Sequence, residues 1–348
     1  MKALVIGGSG LVGGHLVRAL AAAGWETTAT QRTPPRAPPA THRAIALDLL
    51  DPASVQALPG QVADVSHVFF LARTLQKGYR IERESNVRVL EAVLDVLQDL
   101  PSLRHVQLVH GLKWYGSTAG PFPVPARESD PVPGAAHFYY DQHALVRERA
   151  RGRPWHWSTL RPHCVSGVAT HSPSNVMLGM AVYAQLMKEQ GLPLAFPGSQ
   201  AAFDARLTYT SADLLARAML WAATDPAARD EDFNVANGDV FSWSQVWPAV
   251  AAAFGMEAAP PRPQALRDTM PPLAGLWSRV VQRDALVPNA LPALVDWNFM
   301  DATLALAWEQ TMSLEKLRRH GFGETVDTPA MILEIIQAYR RLRILPAP

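Results

Sequence analysis

The feature that most constrains the fold is a glycine-rich loop near the start of the chain. It reads Gly7-Gly8-Ser9-Gly10-Leu11-Val12-Gly13, follows a short apolar run at 2–6, and opens a segment with helical periodicity at 11–23. Glycines at this spacing turn the chain sharply, let the backbone approach a diphosphate, and let the helix pack on the strand. Free N–H groups and the helix dipole favour an anion there. The loop therefore predicts a dinucleotide-binding βαβ unit.

Apolar runs and helical patterns alternate through the rest of the first half. We expect strands near 27–30, 44–47, 67–71, 106–109 and 155–160, with a long helix over 82–99. In the second half we expect helices near 175–189, 211–225, 242–254, 313–319 and 328–342, and strands near 193–196 and 232–235. Alternation of this kind is typical of a parallel sheet with helices on both faces.

The fold class that follows is α/β, a Rossmann-like doubly wound parallel sheet with a smaller, discontinuous, mostly helical substrate lobe. We expect the nucleotide-binding domain to comprise residues 1–165 and 205–237, and the substrate lobe residues 166–204 and 238–348. Twelve of the 29 prolines cluster at 34–39, 121–133 and 260–263, between the periodic segments, so each cluster predicts a loop.

Composition excludes several classes of function. The 32 basic and 31 acidic residues give a net charge of +1, so we expect no nucleic-acid partner. Cys164 is the single cysteine, which excludes an internal disulfide, and the histidines lack metal-binding spacing, so we expect no metal. No apolar run approaches the ~18 residues that a membrane span requires. We expect a cytoplasmic protein with no membrane partner; a monomer and a homodimer are both compatible.

The end of the second predicted strand bears on the choice of cofactor. An NAD site places an acidic residue about 20 residues beyond the glycine loop, where it binds the ribose 2′-hydroxyl. Residues 28–33 contain no acid, and Arg32 is placed to meet a 2′-phosphate. The sequence thus favours NADP(H) over NAD. Asp48, after the third strand, is a candidate acceptor for the adenine amino group.

The catalytic pattern usual in short-chain reductases, Tyr-x-x-x-Lys, is absent. His143 stands four residues after Tyr139, and Ala144 stands four residues after Tyr140. A lysine occurs elsewhere: the run 105–115, His-Val-Gln-Leu-Val-His-Gly-Leu-Lys-Trp-Tyr, is a strand followed by a loop that presents Lys113.

This run and His137-Phe138-Tyr139-Tyr140-Asp141 resemble the progesterone 5β-reductase/iridoid synthase-like family of atypical extended short-chain reductases. In that family the lysine lies at the preceding strand end, and the first tyrosine of a Phe-Tyr-Tyr motif is functional. The similarity continues through Leu160-Arg161-Pro162, Ala201-Ala202-Phe203-Asp204, Ser211-Ala212-Asp213-Leu214 and the run 232–243. It is clear over about 1–255, thin over 256–300, and partly returns near 320–322.

The resemblance implies 1,4-reduction of a small-molecule enone. NADPH would deliver hydride to the β-carbon, Tyr139 would stabilise the developing enolate, and Lys113 would support Tyr139. The residues expected at the cofactor are Gly7, Gly10, Leu11, Val12, Gly13, Gln31, Arg32, Asp48, Leu49, Ala72, Arg73, Val109, His110, Lys113, Tyr139, Pro162, Cys164 and Val165. The residues expected at the substrate are Trp114, Tyr115, His163, Met177, Phe203 and Phe299.

Several positions depart from the family pattern. His110 stands where the family prefers threonine, Trp114 where it prefers histidine, His137 where it prefers asparagine, and His163-Cys164 where it has Gly-Asn. These departures leave the substrate open. Two other functions also remain open: an NADP-dependent carbonyl reductase or sugar-nucleotide epimerase-like enzyme, and a non-catalytic NADP-sensing regulator.

Overall fold

The structure is a computed structural model that describes residues 1–33, 39–74, 79–134, 137–170 and 172–348. In the helix at 79–97, the side chains are described from residue 81 onward. The first half contains β1 (Lys2–Ile6), α1 (Leu11–Ala22), β2 (Glu26–Gln31), β3 (Arg43–Ala46), α2 (Pro52–Gln56), β4 (His67–Phe70), α3 (Tyr79–Leu97), β5 (His105–Val109), α4 (Phe138–Ala150), β6 (His156–Pro162) and β7 (Val165–Ser166). The second half contains α5 (Val176–Glu189), β8 (Leu194–Ala195), α6 (Gln200–Asp204), β9 (Thr210–Ser211), α7 (Ala212–Thr224), β10 (Glu231–Val235), α8 (Trp243–Ala253), β11 (Ala258–Ala259), α9 (Leu266–Thr269), α10 (Ala274–Arg283), α11 (Leu291–Leu294), α12 (Trp297–Leu304), α13 (Glu315–Arg319) and α14 (Thr328–Arg341).

Seven parallel strands form the central sheet, in the order β10-β6-β5-β4-β1-β2-β3. The chain leaves β1 toward β2 on one side and resumes at β4 on the other, so the strand order reverses between β1 and β4. Ile6 pairs with Phe70 across this point. Doubly wound sheets bind ligands in the crevice beyond the carboxyl ends of the strands at such a reversal. The predicted Rossmann-like fold class is confirmed.

Helices cover both faces of this sheet, which explains why strands such as β4 are buried along their whole length. On one face α1 and α7 pack on the strands through residues such as Leu16, Leu20 and Leu215. On the other face α2, α3 and α4 contribute residues such as Leu90 and Val146. The two layers hold the strand ends in fixed positions.

A second, largely helical core lies beyond the carboxyl ends of the strands. It includes α5, α8, α12 and α14, with Trp247, Trp277 and Tyr339 among its fully buried side chains. Two small parallel sheets pair β8 with β11 and β7 with β9. Helix α13 packs differently from the predicted division: Leu317 and Phe322 join the core of the main sheet, so the range 238–348 includes a piece of the other lobe.

The second half contains five described helices that the sequence patterns did not predict, α6 and α9 to α12. Helix α10 does carry a helical signal, because Trp277 and Val280 are buried at the i, i+3 spacing. The proline clusters at 121–133 and 260–263 are confirmed as loops, whereas residues 34–38 of the first cluster lie outside the described residues. Among the described helices, none combines the length and apolar character needed to cross a membrane.

Candidate active site

The glycine loop forms a closed turn at the start of α1. Gly7 adopts a φ of 91°, a left-handed conformation that favours glycine, and its carbonyl accepts the Gly10 N–H at 3.2 Å. A Cβ at Gly13 would lie 2.3 Å from the Gly7 carbonyl oxygen, so only glycine lets α1 approach the loop this closely. No side chain caps α1. Its first N–H groups therefore remain available to an anion, as a dinucleotide diphosphate requires.

A cavity of about 420 Å³ lies beside this loop at the ends of β1, β2 and β3. The residues predicted to bind the adenosine half of the cofactor meet there, and they are Gly7, Gly10, Gln31, Arg32, Asp48, Leu49, Ala72 and Arg73. Arg32 is exposed and forms no ion pair with any residue that the structure describes. Asp48 accepts the Leu50 N–H at 2.9 Å.

A second cavity, of about 350 Å³, lies at the ends of β4, β5 and β6 and reaches the helical lobe. Predicted cofactor residues line it: Val12, Ala72, Arg73, Val109, His110, Lys113, Tyr139, Pro162, Cys164 and Val165. Leu71, Ala72 and Arg73 line both cavities, so the two spaces adjoin at the residues after β4. An extended dinucleotide would place its adenosine in the first cavity and its nicotinamide in the second.

Lys113 and Tyr139 come from different elements and face this second cavity. Lys113 lies on a short 3₁₀ helix, Leu112–Tyr115, directly after β5. Tyr139 is the second residue of α4, and its N–H donates to Nδ1 of His137, the N-cap, at 3.2 Å. A Cβ at Gly111 would lie 3.5 Å from the Tyr139 hydroxyl oxygen, which places that oxygen beside the strand end that presents the lysine.

Neither the Lys113 amine nor the Tyr139 hydroxyl has a hydrogen-bond partner among the described residues. Burial raises the pKa of Tyr139, so its hydroxyl stays protonated at neutral pH. Burial, and then the charge of Arg73, lowers the pKa of Lys113 from its ordinary value. The site thus presents a hydroxyl donor and a lysine amine to the same space.

His110 lies in a stack of three rings. Its imidazole packs on Tyr139 with centroids 4.7 Å apart and on Trp114 with centroids 5.5 Å apart. Both ring nitrogens are buried and have no hydrogen-bond partner in the described part of the chain. Burial, and then the nearby Arg161 charge, holds the pKa of His110 well below its ordinary value. The ring is therefore neutral and supports the face of Tyr139.

Two of the six predicted substrate residues, His163 and Phe299, line the second cavity. The His163 Nδ1–H donates to the Thr208 carbonyl at 2.6 Å. Burial lowers the pKa of His163 to about 4, so the ring is neutral and its Nε2 is an acceptor. Cys164 also lines the cavity, and burial raises the pKa of its thiol to about 12. That thiol is therefore not ionised near neutral pH.

The structure places the other four predicted substrate residues elsewhere. The Trp114 ring lies under the buried Arg161 guanidinium, 3.8 Å from ring centroid to Cζ. The Tyr115 hydroxyl donates to Asn234 at 2.7 Å. Met177 and Phe203 pack in or against the core of the helical lobe. These four side chains therefore pack in the protein interior and do not line the second cavity.

Several lining residues were not predicted from the sequence. They are Phe70, Leu71, Gly111, Leu112, Ser117, Thr118, Phe138, Gln142, Thr303, Leu306 and Gln310. Thr303 follows Phe299 by four residues on α12, so helical periodicity alone would have placed it on the same face. Gln310 lies after α12, and no local pattern indicates it. The described residues contain no group of three metal-binding side chains.

Comparison with known proteins agrees with this geometry. The model of a "PRISE-like Rossmann-fold domain" matches residues 50–271. The chain is 30% identical to an (S)-8-oxocitronellyl enol synthase of Nepeta racemosa, covering 99% of this chain and 93% of that protein. It is also 30% identical to a 3-oxo-Δ4,5-steroid 5β-reductase of Arabidopsis thaliana, with the same coverage. A UDP-glucose 4-epimerase of Thermus thermophilus, solved with NAD, superposes with a TM-score of 0.66 at 19% identity, over 98% of this chain and 99% of that chain.

The fold and the site define a Rossmann-fold oxidoreductase of the extended short-chain dehydrogenase/reductase type. Within that class, the chain belongs to the PRISE-like family of progesterone 5β-reductase and iridoid synthase relatives. The resemblance drawn from the Lys113 and Tyr139 motifs is confirmed.

Proposed function

We propose that this protein is an NADPH-dependent reductase of the C=C bond of α,β-unsaturated ketones or aldehydes. The observation that carries the proposal is that Lys113 and Tyr139, from two elements, line one cavity, and that this cavity adjoins the cavity beside the glycine loop. Both polar groups lack partners among the described residues, as groups that act on a ligand do. Relatives named as a steroid 5β-reductase and as enol synthases support the same chemistry.

The residues present fit a dinucleotide, because Gly13 lets α1 pack closely against the loop and no described side chain caps the first N–H groups of α1, which a diphosphate can therefore reach. The loop and α1 would hold the diphosphate, while Gln31, Arg32 and Asp48 would surround the adenosine. Arg32 is exposed at the end of β2, where a 2′-phosphate would meet it, and residues 28–31 at that end of the strand contain no acid. A planar guanidinium binds phosphate through paired hydrogen bonds. This supports NADPH rather than NADH.

When bound, NADPH supplies the hydride that the β-carbon accepts. The Tyr139 hydroxyl donates a hydrogen bond to the carbonyl oxygen, and this bond strengthens as negative charge develops on the enolate. The raised pKa of Tyr139 keeps the donor proton in place during that step. Lys113 adds positive charge on the same side of the cavity. Arg73 and Thr118 are exposed, so the cavity reaches solvent and water can protonate the α-carbon.

The proposal is tested with purified protein, NADPH and a panel of small enones, each matched with its saturated ketone. We expect NADPH oxidation with the enones and a product that retains its carbonyl group. Tyr139→Phe and Lys113→Ala should each lower turnover at least about tenfold, the effect of losing one transition-state hydrogen bond or charge. Tyr140→Phe is the matched control, since that hydroxyl donates to the Trp114 carbonyl at 2.7 Å.

The alternatives give different results in the same assay. Turnover of saturated ketones alone would identify a carbonyl reductase. Tight NADPH binding without turnover of any acceptor would identify a nucleotide-sensing regulator. Wild-type rates in both Tyr139→Phe and Lys113→Ala would contradict the assigned pair, whatever the substrate.

A further inference from the structure

Arg73 occupies the junction between the two cavities. It follows β4 by three residues and lines both the adenosine-side cavity and the cavity of Tyr139, as do Leu71 and Ala72. Among these three shared residues, Arg73 alone carries a charge. A dinucleotide that spans both cavities must pass this junction with its diphosphate, which is the segment that joins its two halves.

The backbone that presents Arg73 is fixed by a buried amide. Asn86 of α3 is fully buried, and its side chain accepts the Thr74 N–H at 2.9 Å and donates to the Thr74 carbonyl at 2.9 Å. The Gln142 side chain on the Tyr139 helix donates to the Asn86 carbonyl at 2.9 Å. The segment that carries Arg73 is therefore tied both to α3 and to the helix that carries the catalytic tyrosine.

A carboxylate orients the guanidinium without saturating it. Nε and Nη2 of Arg73 both donate to the same Glu82 oxygen, the former at 2.8 Å. Glu82 is mostly buried, whereas the Arg73 side chain is 45% exposed. The guanidinium has five N–H donors. The pair therefore leaves Nη1 and one Nη2 hydrogen without a partner among the described residues, available to an anion.

The charged side chains around the adenosine-side cavity favour a role for Arg73 in binding an anion. Arg32 and Arg73 are the two cations among the described residues that line the adenosine-side cavity, and Arg32 directly follows β2. The first turn of α1 carries no charged side chain of either sign. Arg73 also lines the cavity that Lys113 and Tyr139 face, so its charge lies near the reacting pair as well as beside the glycine loop.

We infer that Arg73 binds the diphosphate of the dinucleotide, and that Glu82 and Asn86 are positioning residues that hold it at the junction. The inference rests on the nicotinamide cofactor of the proposed function and not on the enone reaction. Under this inference the three cations have different roles. Arg32 contacts the 2′-phosphate, Arg73 contacts the diphosphate, and Lys113 lies at the reacting end.

The test measures binding of NADPH, NADH and ADP-ribose by calorimetry, with no substrate present. Arg73→Gln should weaken all three by about 10- to 100-fold, the range for losing a hydrogen bond between charged groups. NADPH and NADH should weaken by the same factor, because both carry the diphosphate. Arg73→Lys should recover part of the affinity, since it keeps the charge but loses the fork. Arg104→Gln is the matched control, because Arg104 is exposed at the opposite end of the sheet.

Three results would overturn the inference. Unchanged binding of all three ligands would make the Arg73–Glu82 pair a structural ion pair only. A changed ratio of NADPH to NADH affinity would assign Arg73 to the 2′-phosphate. Weaker NADPH binding with unchanged ADP-ribose binding would assign it to the nicotinamide half. Because every readout is binding, a failure of the enone assay leaves these outcomes distinct.

Glu82→Gln separates orientation from charge. The glutamine keeps an oxygen that accepts from Nε and Nη2, and it removes the negative charge that competes with phosphate. We expect NADPH affinity that is unchanged or higher. A loss as large as that of Arg73→Gln would show that the ion pair itself, and not the free N–H groups, determines binding, and would also overturn the inference.

Discussion

Replacing Gly13 by alanine tests the link between the glycine cradle and the cofactor. The added Cβ would lie 2.3 Å from the Gly7 carbonyl oxygen, 2.8 Å from Gly8 Cα and 3.0 Å from Gly7 C, all of them backbone atoms. Real Cβ contacts essentially never fall below 3.0 Å, so α1 or the loop must shift by about 0.7 Å or more. The displaced atoms belong to the loop that we propose the diphosphate approaches.

Gly14 is the matched control in the same helix. A Cβ there would have no atom closer than 3.9 Å. Both substitutions gain up to about 1 kcal/mol of helix propensity, but only Gly13→Ala adds the overpacking cost of about 1–3 kcal/mol. The difference in free energy of unfolding between the two variants is therefore expected to be about 1–3 kcal/mol, with Gly14→Ala the more stable.

The assays are urea unfolding and NADPH titration by tryptophan fluorescence. We expect Gly13→Ala to bind NADPH at least about tenfold more weakly, a change of about 1.4 kcal/mol, and Gly14→Ala to bind it as the wild type does. If both variants bind NADPH equally well, the diphosphate does not approach this loop, and the assignment of the cradle is refuted.

Three further predictions concern other residues. Arg32→Gln should lower the preference for NADPH over NADH about tenfold or more, measured by parallel titrations; an unchanged preference would remove Arg32 from the 2′-phosphate site. Phe299→Ala should raise KM for an enone about tenfold and leave NADPH affinity unchanged, because Phe299 contributes apolar wall on the substrate side; an unchanged KM would place Phe299 outside the substrate site. Burial lowers the pKa of His105 to about 3 in the folded protein, whereas a histidine in the unfolded chain has a pKa near 6.5. Between these two values the unfolded chain binds a proton at His105 and the folded protein does not. Stability should fall as pH drops below about 6.5, by up to about 1.4 kcal/mol per pH unit for this histidine; His105→Gln should reduce that slope between pH 7 and 5 in urea unfolding, and an unchanged slope would contradict the assignment.

Local patterns predicted the first lobe well because its physics is local. An apolar run, a glycine turn and an amphipathic helix each depend on residues a few positions apart, so β1, the loop and α1 follow from residues 2–23. The strands of the seven-stranded sheet were predicted to within about two residues for the same reason, whereas the two-residue strands β7, β9 and β11 were not predicted. The motif resemblance added Lys113 and Tyr139, 26 positions apart, which no periodicity connects.

The helical lobe and the substrate wall depended on packing between distant segments. Four side chains that were predicted to line the substrate site are instead packed in the interior. Trp114 packs on the Arg161 guanidinium, and the Tyr115 hydroxyl donates to the Asn234 side chain. Met177 and Phe203 pack in or against the core around α5. Nothing in the neighbouring sequence distinguishes a large apolar side chain that faces a ligand from one that faces another helix.

The sequence by itself determined the glycine loop at the start of α1, the absence of an acid at the end of β2, and the two residues proposed to be catalytic. Only the tertiary structure placed Arg73 where two cavities adjoin, with Glu82 and Asn86 holding it. The physical reason is that the cradle is a short-range backbone property, whereas a junction between cavities exists only once α3, α4 and the strand ends have packed together.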